Sequence, residues 1–102
     1  MKTIGEIIRE ERESRGLLLR EVAASLEVDL SFLSKIERGD KRPTRAQISQ
    51  ISKVLKVTEK DLLLAYLSDR LVYEIRNEDL ATEALKVAEQ KIEYLKKSNG
   101  IF

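Results

Sequence analysis

The stretch "SFLSKIERGDKRPT", residues 31–44, joins two patterns of different composition. Its first half spaces apolar residues as a helix does, with Leu33 and Ile36 pointing inward and Phe32 flanking them. Its second half is a turn that contains a glycine and the only proline of the chain. Positively charged residues lie in both halves and just beyond them: Lys35, Arg38, Lys41, Arg42 and Arg45. This concentration at the end of one short helix is unusual in a chain with a net charge of only +1.

The small net charge hides an asymmetry along the chain. Residues 1–58 carry a net charge of +3, whereas residues 59–102 carry a net charge of −2. A basic part beside an acidic part indicates a different partner for each. A basic patch is the minimum requirement for binding nucleic acid, although a surplus of this size is weak evidence when considered alone.

The composition excludes most enzyme classes. The chain of 102 residues has no cysteine and no histidine, so disulfides, Cys/His zinc sites and Ser-His-Asp triads are ruled out. No glycine-rich loop with the spacing of a nucleotide-binding motif is present. We therefore expect no catalytic activity, no catalytic residue, no cofactor and no metal.

The same composition favours one helical, cytoplasmic domain with an appendage. Hydrophobic residues make up 42% of the chain and charged residues 36%, with only four glycines and one proline. No apolar run approaches the roughly 20 residues that span a bilayer. The N-terminus also lacks the apolar region of a signal peptide, so we expect a cytoplasmic location and no membrane partner.

The spacing of apolar residues predicts a series of helices over residues 3–15, 19–26, 30–38, 45–56, 59–76 and 78–97. Thr3 and Glu6 form a capping box at the first start, and Gly16 suits the left-handed residue after the first end. Asp29 is expected to cap the third helix with its side chain. Thr44 and Thr58 are expected to cap the fourth and fifth helices in the same way.

Two of these helices have the physical outline of a helix-turn-helix, in which two short helices are joined by a turn of three or four residues. The first helix needs a small residue where its partner crosses, and Ala23 supplies it. The second packs through Leu33 and Ile36. Its remaining side chains fall outward: Ser31, Ser34, Lys35 and Arg38.

With these motifs the sequence resembles the Cro/cI-type family of transcriptional regulators, often called XRE. The resemblance runs through "IGEIIREERESRGL", "EVAASLEV", "LSKIERGDKRPT" and "ISKVLKVTEKDLL", about residues 4–66. It implies an all-α fold with a five-helix, lambda-repressor-like DNA-binding domain, whose third helix enters the major groove of double-stranded DNA.

The resemblance also implies roles for individual residues. The candidates for contacts with bases are Leu30, Ser31, Ser34, Lys35 and Arg38. The candidates for contacts with phosphates are Arg38, Lys41, Arg42, Thr44 and Arg45. Lysine can donate to guanine, whereas Leu30 could make only an apolar contact, for example with a thymine methyl group. Glu37 could be mistaken for a catalytic acid, but its family equivalent pairs with an arginine of the first helix, here Arg12, and is structural.

The sequence departs from the family at two positions. The family usually has a serine or threonine cap and then a glutamine where Leu18 and Leu19 stand, and that glutamine normally holds a phosphate. The usual glycine of the turn is Glu27, where a left-handed conformation would cost about 1 kcal/mol. Neither change is expected to break the fold.

Residues 68–102 have a different texture and are expected to form a C-terminal helical dimerisation extension of a DNA-binding domain at residues 1–67. The apolar face of the last helix is wide for a surface helix. It could fold back on the first domain, but two half-sites on DNA favour self-association of a homodimer. The interface candidates are Leu80, Ala84, Leu85, Val87, Ala88, Ile92 and Leu95.

We therefore expect a sequence-specific DNA-binding regulator, acting as a repressor by occupying a two-half-site operator, with no small-molecule ligand. Two alternatives remain. The basic cluster could be an ordinary solvated surface, although the helix-turn-helix context argues against it. The fold could also serve as a protein-interaction module, such as an antitoxin that binds a protein partner.

Overall fold

The computed structural model describes residues 2–98 and contains α-helices without strands over that range. The helices are α1 (Ile4–Ser14), α2 (Leu19–Leu26), α3 (Leu30–Arg38), α4 (Arg45–Leu55), α5 (Glu59–Ile75) and α6 (Ala81–Lys97). The expected all-α class is confirmed. The fifth and sixth helices are long, with 17 residues each.

Local sequence signals fix both ends of α1. The hydroxyl of Thr3 accepts from the amide of Glu6, and the Glu6 carboxylate accepts from the amide of Thr3, each at 3.2 Å. At the other end Gly16 adopts φ +66°, and the next amide, that of Leu17, donates to the carbonyl of Arg12 at 3.0 Å. The expected capping box and left-handed glycine are both present, so α1 begins and ends where the sequence indicated.

Buried apolar side chains from α1 to α5 form a single core. The buried members are Ile4, Ile8, Val22, Ala23, Leu26, Leu33, Ile36, Ile48, Ile51, Leu55, Leu62 and Ala65. They recur at helical spacing, so each helix contributes one stripe. Because α1 and α2 both pack against α3, the inner stripe of that helix is held against the core.

A close approach of backbones joins α1 to α3. Gly5, the second residue of α1, is buried, and a Cβ atom there would lie 2.4 Å from the carbonyl oxygen of Ile36. Only a residue without a side chain allows this approach. The position of α3 therefore depends on a glycine at the start of α1.

A carboxylate from α5 closes the start of α1. Asp69 Oδ2 accepts a hydrogen bond from the amide of Ile4 at 2.8 Å, across 65 residues of sequence. This amide is one of those that the helix itself leaves unpaired, and negative charge is favourable at a helix N-terminus. The contact ties the later part of α5 to the beginning of the chain.

Two expectations for helix starts differ from the structure. Asp29 occupies the N-cap position of α3 with extended backbone, φ −66° and ψ 144°, but its side chain accepts no hydrogen bond from the helix. The carboxylate is exposed, so water can solvate it in place of the helix amides. The last helix begins at Ala81 and not at residue 78, because the amide of Ala81 closes a turn onto the carbonyl of Glu78 at 3.1 Å.

The chain divides into two compact units, one up to Arg70 and one from Leu71 onward. The first contains α1 to α4 and most of α5. The second contains the end of α5 and the whole of α6, which has no buried residue. Among the described residues, no helix combines the length and apolar character needed to cross a membrane.

Candidate nucleic-acid interface

The turn between α2 and α3 is tight and regular. Glu27 adopts φ 56° and ψ 42°, which is the left-handed conformation. The family pattern usually has a glycine at this position. The amide of Val28 then donates to the carbonyl of Ala23 at 3.0 Å, which satisfies the end of α2. Ala23 itself is buried. The backbone therefore follows a helix-turn-helix path despite the side chain at Glu27.

The outward face of α3 carries all five expected base-contact residues. Leu33 and Ile36 are buried on the inner face, as expected. On the outer face Leu30, Ser31 and Arg38 are exposed, whereas Ser34 and Lys35 are half-buried. Leu30 is the large apolar residue of this face, and 51% of it is accessible to solvent at the first position of the helix. The structure thus presents an apolar end, a hydroxyl-bearing middle and a cationic end along one face.

A buried ion pair connects this helix to α1. Arg12 Nε donates to Glu37 Oε2 at 2.7 Å, and Arg12 Nη2 donates to Glu37 Oε1 at 3.0 Å. Only 13% of the Arg12 side chain and 6% of the Glu37 side chain are exposed. The hydrogen bond that Arg12 donates to Glu37 raises the pKa of Arg12 above its ordinary value, although burial opposes this effect. The pair that the family resemblance implied is present, and it faces the interior.

Arg12 also fixes the loop after α1. Its Nη1 donates to the carbonyl oxygen of Leu17 at 2.9 Å, so one guanidinium joins α1, α3 and the approach to α2. No buried side-chain nitrogen or oxygen is left without a hydrogen-bond partner in the described part of the chain. A fully bonded, bidentate pair of this kind orients α3 about its axis.

The basic loop after α3 is anchored by its backbone. Gly39 ends the helix at φ +84°, and the amide of Asp40 donates to the carbonyl of Lys35 at 2.8 Å. Pro43 is fully buried, which pins the loop to the domain. The side chains of Lys41, Arg42 and Arg45 are exposed, and Arg38 Nε lies 3.4 Å from Asp40 Oδ2.

The loop leads directly into the N-terminus of α4. Thr44 accepts from the amide of Gln47 at 3.1 Å, and the Gln47 side chain accepts from the amide of Thr44 at 2.9 Å. This capping box fixes the helix start beside Arg42 and Arg45. A helix N-terminus flanked by exposed cations is suited to phosphate groups.

The start of α2 shows how the missing cap is replaced. Leu18 stands at the N-cap and has no side-chain oxygen, but the Glu21 carboxylate accepts from its amide at 2.8 Å. Half of a capping box therefore remains. Leu18 is 47% exposed, so the departure from the family leaves an apolar surface residue.

Sequence reasoning missed Gly5 and Asp69. Gly5 carried a usable signal, because a glycine inside a helical pattern is unfavourable without a packing reason. Asp69 carried none, since an acidic residue within a long helix is ordinary. Within residues 2–98 no three side chains of the metal-binding types His, Cys, Asp and Glu come together.

Comparison with known proteins agrees with this geometry. The family model described as helix-turn-helix matches residues 8–62. The transcriptional regulator ClgR of Mycobacterium tuberculosis is 41% identical over 56 residues, which are 55% of this chain and 50% of ClgR. The HTH-type transcriptional regulator DdrOP3 of Deinococcus deserti is 33% identical over 58 residues, 57% of this chain and 45% of that protein. The chain thus matches about half the length of these relatives.

Solved structures share the same architecture. The clp gene regulator ClgR from Corynebacterium glutamicum superposes with a TM-score of 0.56 and 27% identity, over 65% of this chain and 86% of that one. A chain of the SinR protein/SinI protein complex superposes with a TM-score of 0.55 and 25% identity, over 93% of this chain and 99% of that one. Residues 8–62, which the family model matches, contain α2, α3 and the ion pair of Arg12 with Glu37. Because the family model covers more than half of the chain, the chain belongs to the XRE-type helix-turn-helix family of transcriptional regulators.

Proposed function

We propose that the protein is a sequence-specific regulator of transcription that binds double-stranded DNA with α3 in the major groove. The carrying observation is the contrast between the two faces of this helix. The inner face is buried and joined to α1 by the ion pair of Glu37 with Arg12, whereas the outer face from Leu30 to Arg38 is exposed or half-buried. A rigid helix with a free polar face is what direct readout of base edges requires.

The roles divide along α3 and the loop beyond it. Leu30, Ser31, Ser34, Lys35 and Arg38 contact base edges. Arg38, Lys41, Arg42, Thr44 and Arg45 contact phosphates. Exposed cations around a capped helix N-terminus support the second assignment, because backbone phosphates set the register of a protein on the duplex.

The second unit, from Leu71 onward, supplies the homodimer contact within the extension predicted at residues 68–102, which follows a DNA-binding domain predicted at residues 1–67. The supporting observation is that α6 buries none of its apolar residues within the chain. Leu80, Val87 and Ile92 are each about half exposed or more. Together with Ala84, Leu85, Ala88 and Leu95 they form one broad face, and pairing two such faces removes it from water.

A dimer explains how one short helix could reach useful affinity. Each α3 reads only a few base pairs, so tight binding needs two half-sites. The two copies of α3 would lie one DNA turn apart, about 34 Å, or a multiple of that distance. Occupying such an operator would block transcription, which makes the protein a repressor.

The test is selection of duplex DNA from a random library by the full chain, followed by competition binding. We expect enrichment of one inverted repeat, and a preference for it over random DNA of at least about a thousandfold. The absence of any enriched sequence, with binding equal to that of random duplexes, would contradict the proposal.

A protein partner is the second candidate function, as for an antitoxin. The similar SinR chain was solved in a complex with SinI, and the exposed apolar face of α6 could accept a different chain as well as a copy of itself. Sedimentation of the purified protein separates the two possibilities. A dimer at micromolar concentration supports self-association, whereas a monomer that also fails to select DNA favours the protein-interaction module.

A further inference from the structure

Leu30 is the one large apolar side chain on the otherwise polar outer face of α3. Its neighbours on that face are Ser31, Ser34, Lys35 and Arg38, and half of the leucine surface is exposed. Its location at the first residue of the helix matters, because the N-terminal residues of such a helix contact base edges when it lies in the major groove.

The chemistry of the major groove offers Leu30 one suitable partner. Every base presents hydrogen-bond donors or acceptors there, and a leucine side chain can pair with none of them. The exception is the methyl group at C5 of a pyrimidine, carried by thymine and by 5-methylcytosine. A leucine over any other edge would remove water from a polar group without replacing its hydrogen bond.

The surroundings of Leu30 leave room for this contact. Ser31, the next residue, has a short side chain that can approach the base pairs without displacing the helix. The Asp29 carboxylate, which stands just before Leu30, makes no bond to the helix and is exposed. The end of α3 that carries Leu30 therefore has an acidic residue and no cation, so it is not suited to a contact with a phosphate.

We infer that Leu30 is a specificity-determining residue that reads the C5 methyl group of a pyrimidine, a conclusion that rests on the proposed DNA-binding function. Leu30 and Lys35 are five residues apart, about 7.5 Å along the helix axis. Along the DNA this distance spans at most about two base-pair steps of 3.4 Å. We therefore expect each half-site to contain a thymine or 5-methylcytosine within about two base pairs of the base that Lys35 contacts.

The experiment removes single methyl groups from the DNA. In the operator selected by the full chain, each thymine of one half-site is replaced in turn by deoxyuridine, which keeps the base pair and deletes only the methyl group. We expect one position at which the wild-type protein loses about fourfold in affinity, from burial of one methyl group. In L30A this loss disappears at that position, because the partner of the methyl group is gone.

Further variants separate a specific contact from a general effect. L18A removes another exposed leucine of the same domain and should keep the wild-type response to deoxyuridine. L30Q should select adenine at the same position, since glutamine can bond adenine at two atoms. Circular dichroism checks that L30A folds, and alanine favours the helix.

The second set of duplexes carries 5-methylcytosine in place of each cytosine. A gain in affinity at one cytosine that is absent in L30A identifies 5-methylcytosine as the source of the methyl group. The inference is wrong if no single deoxyuridine or 5-methylcytosine changes wild-type affinity by more than twofold, or if the effect persists in L30A. Failure to select any operator would instead overturn the proposed function, and this inference with it.

Discussion

The α-carbon of Gly5 faces the backbone of α3 so closely that a Cβ atom there would lie 2.4 Å from the carbonyl oxygen of Ile36 and 2.7 Å from that of Glu37. Both obstacles are backbone atoms, which cannot rotate away as a side chain can. The backbones of α1 and α3 therefore contact each other at Ile36 and Glu37, near the C-terminal end of α3. Small residues at such crossings set the distance between helices.

Gly5→Ala should destabilise the fold although alanine is the better helix former. Propensity favours alanine by about 1 kcal/mol, whereas forcing a methyl group into a packed contact costs about 1–3 kcal/mol. Because the contact atoms belong to the backbone, we expect a net loss near the upper end, about 2 kcal/mol. Chemical denaturation measures it, and an unchanged or raised midpoint would contradict the packing argument.

The matched control is Gly16→Ala, at a glycine with a different requirement. Nothing lies within 4 Å of a Cβ atom at Gly16, but its φ of +66° disfavours a side chain. The expected cost is about 1 kcal/mol, and Gly16→Asn should recover part of it because asparagine tolerates this conformation. Gly5→Asn should recover nothing, which distinguishes a steric constraint from a conformational one.

Arg12→Met should be among the most destabilising single substitutions outside the apolar core. It leaves the buried Glu37 carboxylate without its bidentate partner, which costs about 3 kcal/mol. In the double variant Arg12→Met/Glu37→Met no charge remains buried, so we expect most of this loss to be recovered. Equilibrium unfolding of the two single variants and the double variant provides the cycle, and additive losses would show that no stranded charge is involved.

The pH dependence of this contribution follows from the direction of the Arg12 pKa. Because the folded state raises that pKa, the stabilisation is fully present below the ordinary arginine value and is lost only as pH rises through the still higher folded value. The contribution of Arg12 should therefore stay constant from neutral pH into moderate alkali. Arg12 stays protonated at both pH 7 and pH 9. The difference in unfolding free energy between wild type and Arg12→Met should therefore show no change between these pH values that comes from Arg12.

Lys35 and Arg42 should fail in different ways when they are truncated. Lys35→Ala removes a base contact, so it should cost about 1–3 kcal/mol on the selected operator and relax specificity at one position. Arg42→Ala removes a phosphate contact, so it should weaken operator and random DNA alike and lower the salt slope by about one. Binding isotherms at several salt concentrations measure both, and equal losses of Lys35→Ala on the two DNAs would disprove its assigned role.

Ala84→Glu should dissociate the proposed dimer without unfolding either unit. Ala84 is exposed on the apolar face of α6, so a glutamate there is tolerated in the free chain but buried in a pair. Gln90→Glu adds the same side chain on the opposite face of the same helix and serves as the control. Sedimentation equilibrium should show weakened association only for Ala84→Glu.

Deletion of residues 78–102 tests the same interface more coarsely. We expect a folded monomer with much weaker operator affinity, because one α3 alone reads too few base pairs. If the shortened chain dimerises as tightly as the full chain, the interface lies within the first five helices and α6 serves only for packing.

Features that depend on neighbours in sequence could be predicted closely. The bounds of α2 and α3, the capping box at Thr3, the cap at Thr44 and the left-handed Gly16 all follow from residues within one or two helical turns. The outward placement of Lys35 follows from helical periodicity in the same way. The turn at Glu27 required the family pattern, because the residue type alone argues against a positive φ.

Features that depend on tertiary geometry could not be predicted from local pattern. The cap expected from Asp29 requires a side-chain orientation that an exposed carboxylate need not adopt, since water satisfies it equally well. The crowding at Gly5 depends on the distance between two helices, at residues that are 31 positions apart in the chain. The roles of the base-facing residues stay predictions, because they are defined by DNA and not by the fold.

The bond between Asp69 and Ile4 has a consequence for how the chain is made. The first helix emerges from the ribosome early, but the acceptor that completes its start is synthesised 65 residues later. Until then the amide of Ile4 is left to water, and α1, which packs against α3, lacks its hydrogen bond to α5. A fragment that ended at residue 67 would never acquire it, and we expect such a fragment to be less stable by about 1 kcal/mol than one that includes Asp69. The full stability of this domain therefore depends on a residue of α5 that lies beyond the matched helix-turn-helix region.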